Sequence, residues 1–256
     1  MTDVVAAEWL KLRSVRSTWW VMLAAVAVLL LSLFMVWGGV NAWDNLPADA
    51  KERWNDGAPS EQDVLPFAQL CLAVLAVLAV GGEYGSRMIR GTVVAVPRRG
   101  RILAAKAVVT GAVALVCGEL IVFVTFFADR AIVGDRPIRG HSRPDVADAV
   151  PTLLVLGASV LLVAVVAAGI AFTLRSTAGA VGTVVGLLFV LPVLTQFLPA
   201  PWDARVSAVL LPSLPAQLAD AASRQVLAPW AAGVVALAYL VLALVPGYLV
   251  LTRRDA

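Results

Sequence analysis

The stretch VPTLLVLGASVLLVAVVAAGIAFTL, residues 150–174, runs 25 residues without a charged side chain. As a helix it would rise about 37 Å, more than the roughly 30 Å hydrocarbon core of a bilayer. It lacks the ten-residue apolar–polar alternation that a membrane barrel strand needs, so a spanning helix is the one reading left. Working outward, five more apolar runs reach membrane length: residues 19–37, 64–82, 102–127, 178–198 and 229–251. The chain is therefore read as an all-α, polytopic membrane protein with six transmembrane helices.

Composition agrees. Apolar residues make up 61% of the 256 and charged residues 14%, far too few to clothe a soluble core. No internal repeat or Gly/Ser linker divides the chain, so residues 1–256 are read as one transmembrane domain. A net charge of +3 argues against nucleic acid as a partner. Cys71 and Cys117 both lie in apolar runs and His141 is the sole histidine, so no disulfide framework, metal site or resident cofactor is expected.

Charge distribution orients the helices. The two termini, the loop between spans two and three and the loop between spans four and five carry twelve Lys and Arg against four acids. The opposite side carries eight against twelve. The cation-rich side, with both termini, is expected to be cytoplasmic, across what would be a bacterial plasma membrane. Tryptophans flank the first span (Trp19, Trp20, Trp37), as interfacial anchors do.

Four features stand out against this frame. Ahead of span one, Glu8, Trp9, Lys11 and Arg13 lie in a segment where Val5, Trp9 and Leu12 would share a helical face. Either an amphipathic helix lying in the lipid interface or a solvated basic tail fits it. After span two, Glu83, Arg87 and Arg90 are spaced for one helical face, ended by Gly91-Thr92 and Pro97. A plain positive-inside hairpin and a short helix that docks a soluble partner fit this loop equally.

Within the membrane, Glu119 is the one formal charge deep in a span, and Gln69 on the neighbouring span is placed to hydrogen-bond it. That pair reads either as structural or as linked to substrate or protons. Gly179, Gly182 and Gly186 put small residues at the start of span five, for packing within the chain or for a dimer seam.

The run Glu8-Trp9-Leu10-Lys11-Leu12-Arg13-Ser14, then Glu83-Tyr84, Gly91-Thr92, Pro97-Arg98 and Lys106, resembles permeases of the type-2 ATP-binding-cassette (ABC) exporter family. The six-span layout is similar too. The resemblance implies that residues 8–13 form an interfacial elbow helix. It makes the segment 83–101, with Glu83, Tyr84, Arg87, Arg90, Gly91, Thr92 and Arg98, the coupling helix that meets an ABC ATPase. It also implies a dimer with a second permease subunit through spans one and five, and short re-entrant helices between spans five and six.

The chain has no phosphate-binding loop of its own: its three lysines are followed by Leu12, Glu52 and Ala107, where Ser or Thr is required. ATP and magnesium would then sit on a partner, and this chain would be no enzyme. The expected function is the membrane pathway of an exporter for an unidentified substrate, with membrane lipid around it. The rivals are an ion-coupled carrier, for which Glu119 is the main support, and a membrane scaffold that transports nothing.

Overall fold

A computed structural model describes residues 2–51, 54, 59–85, 99–138, 145–222 and 224–253. All regular elements among these are helical, and six are long and apolar enough to span a bilayer: Arg16–Asp44, Ser60–Gly85, Gly100–Val133, Val146–Leu174, Thr177–Thr195 and Pro229–Thr252. Each overlaps one expected span. The third is longer than its apolar run because the helix formers of residues 128–133 continue it past Phe127. At 34 residues it rises about 51 Å and must protrude from the hydrocarbon.

The fourth span is the central column. In its most apolar window 67% of residues are buried, against 61% for the second span and only 17% for the first, fifth and sixth. Small residues let neighbours approach it closely. A Cβ on Gly118 would stand 2.6 Å from the carbonyl oxygen of Gly157, and one on Gly169 would stand 2.6 Å from the backbone of Ala243 in the sixth span. Such backbone-to-backbone contact is how helices gain packing energy where no water drives them together. The outer spans turn large apolar side chains outward, among them Leu30, Phe34, Leu194, Phe197, Leu237 and Leu242.

A separate helix, Thr2–Ser14, precedes the first span. Only Arg175 and Ser176 join spans four and five. Arg175 takes the left-handed conformation (φ 52°, ψ 20°), and the Ser176 side chain caps the next helix by accepting from Gly179 N at 3.2 Å. Between spans five and six lie two short helices, Trp202–Val209 and Leu214–Leu218, with Leu210, Leu211 and Leu214 buried against the bundle. Two short helices thus occupy the connection for which the resemblance implies re-entrant ones.

Candidate functional site

The N-terminal helix docks on the bundle through a face that includes a charged residue. Trp9 is 47% exposed, whereas Glu8 and Leu12 are buried and Val5 packs beside them. The inward face is thus Val5–Glu8–Leu12, and Trp9 with Leu10 points away from the protein. The reason is electrostatic: a buried ammonium waits for Glu8.

That ammonium belongs to Lys106, nearly two turns into the third span and 2% exposed. Its Nζ donates to Glu8 Oε2 at 2.6 Å, to Glu83 Oε1 at 3.0 Å and to the Ala79 carbonyl at 2.9 Å. Lys11 Nζ donates to Glu8 Oε1 and to Glu83 Oε1, both at 2.8 Å. Two acids and two lysines, drawn from the N-terminal helix, the end of span two and the start of span three, form one compact network. Each ion is hydrogen-bonded as well as paired, the condition under which buried charge is tolerated.

Residues 86–98 connect the second span, which ends at Gly85, to the third, which starts at Gly100. The Glu83–Lys106 bond therefore joins the two feet of that loop, and Glu8 and Lys11 fasten both feet to the N-terminal helix. Arg87, Arg90, Gly91, Thr92 and Arg98 lie outside the described residues. Glu83 itself is 6% exposed, and its Oε1 accepts from both lysines.

Tyr84 sits beside this network and reaches the other half of the bundle. Its ring packs edge-on to Phe172, and the Arg175 guanidinium lies 5.6 Å from its centroid. Arg175 in turn donates to the Val250 carbonyl at 2.8 Å near the end of span six. The base of the loop is thus connected to spans four, five and six. A side chain on Gly81 would collide with Thr177 at the start of span five, which keeps this junction tight.

Burial works to raise the Glu8 carboxyl, but the charge and hydrogen bond of Lys106, and then of Lys11, outweigh it and hold the group below its ordinary 4.5. Burial likewise works to lower Lys11, and its bonds to Glu8 and Glu83 reverse that, raising it above 10.5. The signs set a window. Glu8 stabilises docking at pH above 4.5 and loses that contribution as pH falls through its depressed value; Lys11 keeps its contribution until pH rises through its elevated one. A spin label on a Leu10→Cys variant should therefore report a docked helix throughout the neutral range. It should become mobile only below the usual carboxylate range; release near neutral pH would contradict the pairing.

In the membrane interior one expectation is corrected. Gln69 does not bond Glu119: its Nε2 donates to Ser159 Oγ at 2.9 Å, and Ser159 passes its own hydrogen to Leu156 O at 2.6 Å. The fourth span packs against both neighbours and supplies the nearer partner. The Glu119 carboxyl instead lies against the surface of Gly157, so tightly that a side chain there would collide with it. Gly182 and Gly186 face open space, with nothing within 4 Å of a built Cβ, and a Cβ on Gly179 would meet at most Leu174 and Ser176 of its own turn region. Among the described residues, nothing packs against the Cβ side of Gly182 or Gly186.

On the opposite side of the bundle a cavity of about 870 Å³ opens between the starts of spans two and four and the two short helices. Glu61, Asp148 and Asp203 line it, with Arg224 3.6 Å from Asp203. Buried Gln217 closes one wall: its Oε1 accepts from Val226 N and Leu227 N, and its Nε2 donates to Arg224 O.

The described residues thus form six membrane-length apolar helices, a docked N-terminal helix and a charge-tied loop base. A family model of ABC-2 family transporter proteins matches residues 4–193, from the N-terminal helix into the fifth span. The chain belongs to the ABC-2 transporter family and is a membrane permease of an ABC transporter. A comparison with curated proteins returns no match.

Of the functional groups above, Lys106 is visible in the sequence only as part of a resemblance. A count of charges points to its role. Apart from Asp3 and Asp255 near the termini, Glu8 and Glu83 are the only acids on the cation-rich side, and Lys106 is set in apolar Ala104-Ala105-Lys106-Ala107-Val108. Ser159 and Arg175 carry no local signal, since each matters only through a partner distant in sequence.

Proposed function

We propose that this chain forms the translocation pathway of an exporter as one of two permease subunits, driven by separate ABC ATPase subunits. The cation-rich side, with the N-terminal helix, faces the cytoplasm. The loop 86–98 receives the ATPase, and the observation that carries this is the Glu8–Lys11–Glu83–Lys106 network. A push on the loop is delivered to both of its feet and to the N-terminal helix at once, while Tyr84 and Arg175 pass it to spans four to six. Glu83 acts as a positioning residue in this scheme, and Arg87, Arg90 and Arg98 are the contacts to the partner.

The outward glycines Gly182 and Gly186, on a span whose apolar face is otherwise uncovered, support a second permease chain packing there. The acidic outer cavity is suited to be the exit. Hydrolysis of ATP belongs to the partner, because this chain has no phosphate-binding loop. In a mild-detergent pull-down the chain is expected to bring down an ABC ATPase, and the purified chain alone is expected to hydrolyse no ATP. Transport driven by an ion gradient, with the chain alone in liposomes, would overturn the proposal in favour of a carrier.

A further inference from the structure

Beside the charge network, between the N-terminal helix and spans one to three, is a second cavity of about 470 Å³. Leu75, Leu78 and Val109 form its apolar wall, Ser17 and Thr18 stand at the start of the first span, and all four charged side chains reach it. The neighbouring exposed residues Trp9, Leu10, Trp19 and Trp20 put it at the level where a bilayer's headgroups meet its acyl chains.

The hydrogen-bond count says what kind of ligand the cavity can take. All three N–H groups of Lys106 are used, on Glu8, Glu83 and the Ala79 carbonyl. Lys11 is held by both carboxylates. Thr18 spends its hydroxyl hydrogen on the Leu12 carbonyl, at 2.5 Å. On the acceptor side one capacity is left. Among the described residues, Glu83 Oε2 is buried and has no donor. An unsatisfied carboxylate oxygen in a low-dielectric site is costly, and an N–H donor carrying positive charge is what satisfies it best. A phosphate or carboxylate ligand would find the buried lysine already committed and two carboxylates beside it. Lys11, with its side chain 34% exposed, is the member of the network that can yield as a ligand enters.

We infer that this cavity binds the primary ammonium headgroup of a phospholipid, phosphatidylethanolamine, from the leaflet that holds the N-terminal helix. The ammonium donates to Glu83 Oε2, and an acyl chain runs along Leu75, Leu78 and Val109. The assignment is independent of what the permease transports. A free alkylammonium would present the same headgroup chemistry without the phosphate and glycerol.

The test is lipid retention by the purified full-length chain in native mass spectrometry, with phosphatidylethanolamine, its N-methyl derivative and phosphatidylcholine supplied in equal amounts. Retention should fall as N–H groups are replaced by methyls, with phosphatidylethanolamine favoured over phosphatidylcholine by about 10-fold, the usual scale for one charge-assisted hydrogen bond. Gly82→Leu fills the cavity from a position whose Cβ meets nothing within 4 Å, so it leaves the charge network intact and the chain folded. It should abolish the preference without lowering the thermal midpoint. Equal retention of the three lipids, or an unchanged preference in Gly82→Leu, overturns the inference. Retention of dodecylammonium with no preference for phosphatidylethanolamine overturns the lipid assignment.

Discussion

Lys106→Met is expected to abolish most of the folded protein. The substitution leaves Glu8 with Lys11 alone and strips Glu83 of one of its two cations, both in a site where the carboxylates are 5% and 8% exposed. Removing one partner of a buried ion pair costs about 3–5 kcal/mol, a large part of the roughly 5–15 kcal/mol that holds a typical protein together. Monodisperse protein recovered after size exclusion should fall sharply, with a lowered thermal midpoint. Lys11→Met should be milder, because its ammonium is a third exposed and water can take over part of its role. Combining Lys106→Met with Glu8→Gln should cost less than the two single changes added together, since the second removes the charge that the first leaves stranded. Normal yield and midpoint for Lys106→Met would mean that the network is not what seats the N-terminal helix.

Gly169→Val should be nearly as severe, for a steric reason. Its Cβ would approach the carbonyl carbon and oxygen of Ala243 to 2.6 Å, and a backbone, unlike a flexible side chain, cannot rotate aside. Spans four and six must separate, and overpacking of this kind costs about 1–3 kcal/mol or more. Gly182→Val is the matched control, because a Cβ there meets nothing within 4 Å. It should leave the stability of the single chain unchanged. If the fifth span forms the proposed seam, it should shift the mass measured in detergent from dimer toward monomer. Equal thermal midpoints for Gly169→Val and wild type would contradict the close approach of these two spans.

Which features are legible in the amino-acid sequence depends on the range of the interaction that makes them. Spans are legible because a bilayer imposes one strong rule, about 20 apolar residues in a row, and residues 150–174 obey it without exception. The end of the third helix is not, because charged Asp129 and Arg130 end an apolar run without ending a helix. The face of the N-terminal helix is hidden for a related reason. Hydropathy groups Val5, Trp9 and Leu12 on one face and leaves Glu8 off it, but an ion pair with Lys106, 98 positions away, buries Glu8 against the bundle. Gln69 stands out as a polar group in need of a partner, yet sequence spacing does not tell Glu119 from Ser159. That choice is made by which helix stands at the centre, a property of all six spans together. The glycines divide in the same way. Gly157 and Gly169 bury their small surfaces against neighbours, while Gly182 and Gly186, with the more conspicuous spacing, face outward.

The central claim is that the loop between Glu83 and Lys106 meets an ATP-binding subunit on the side of the N-terminal helix. The most direct measurement places a photo-cross-linking amino acid at position 90 in place of Arg90 and, in a second version, at position 51 in place of Lys51. Both are irradiated in intact cells, and the adducts are identified by mass. Position 90 is expected to give an adduct with an ABC ATPase and position 51 none. An ATPase adduct from position 51, or none from position 90 in a chain that is inserted and folded, would contradict the claim.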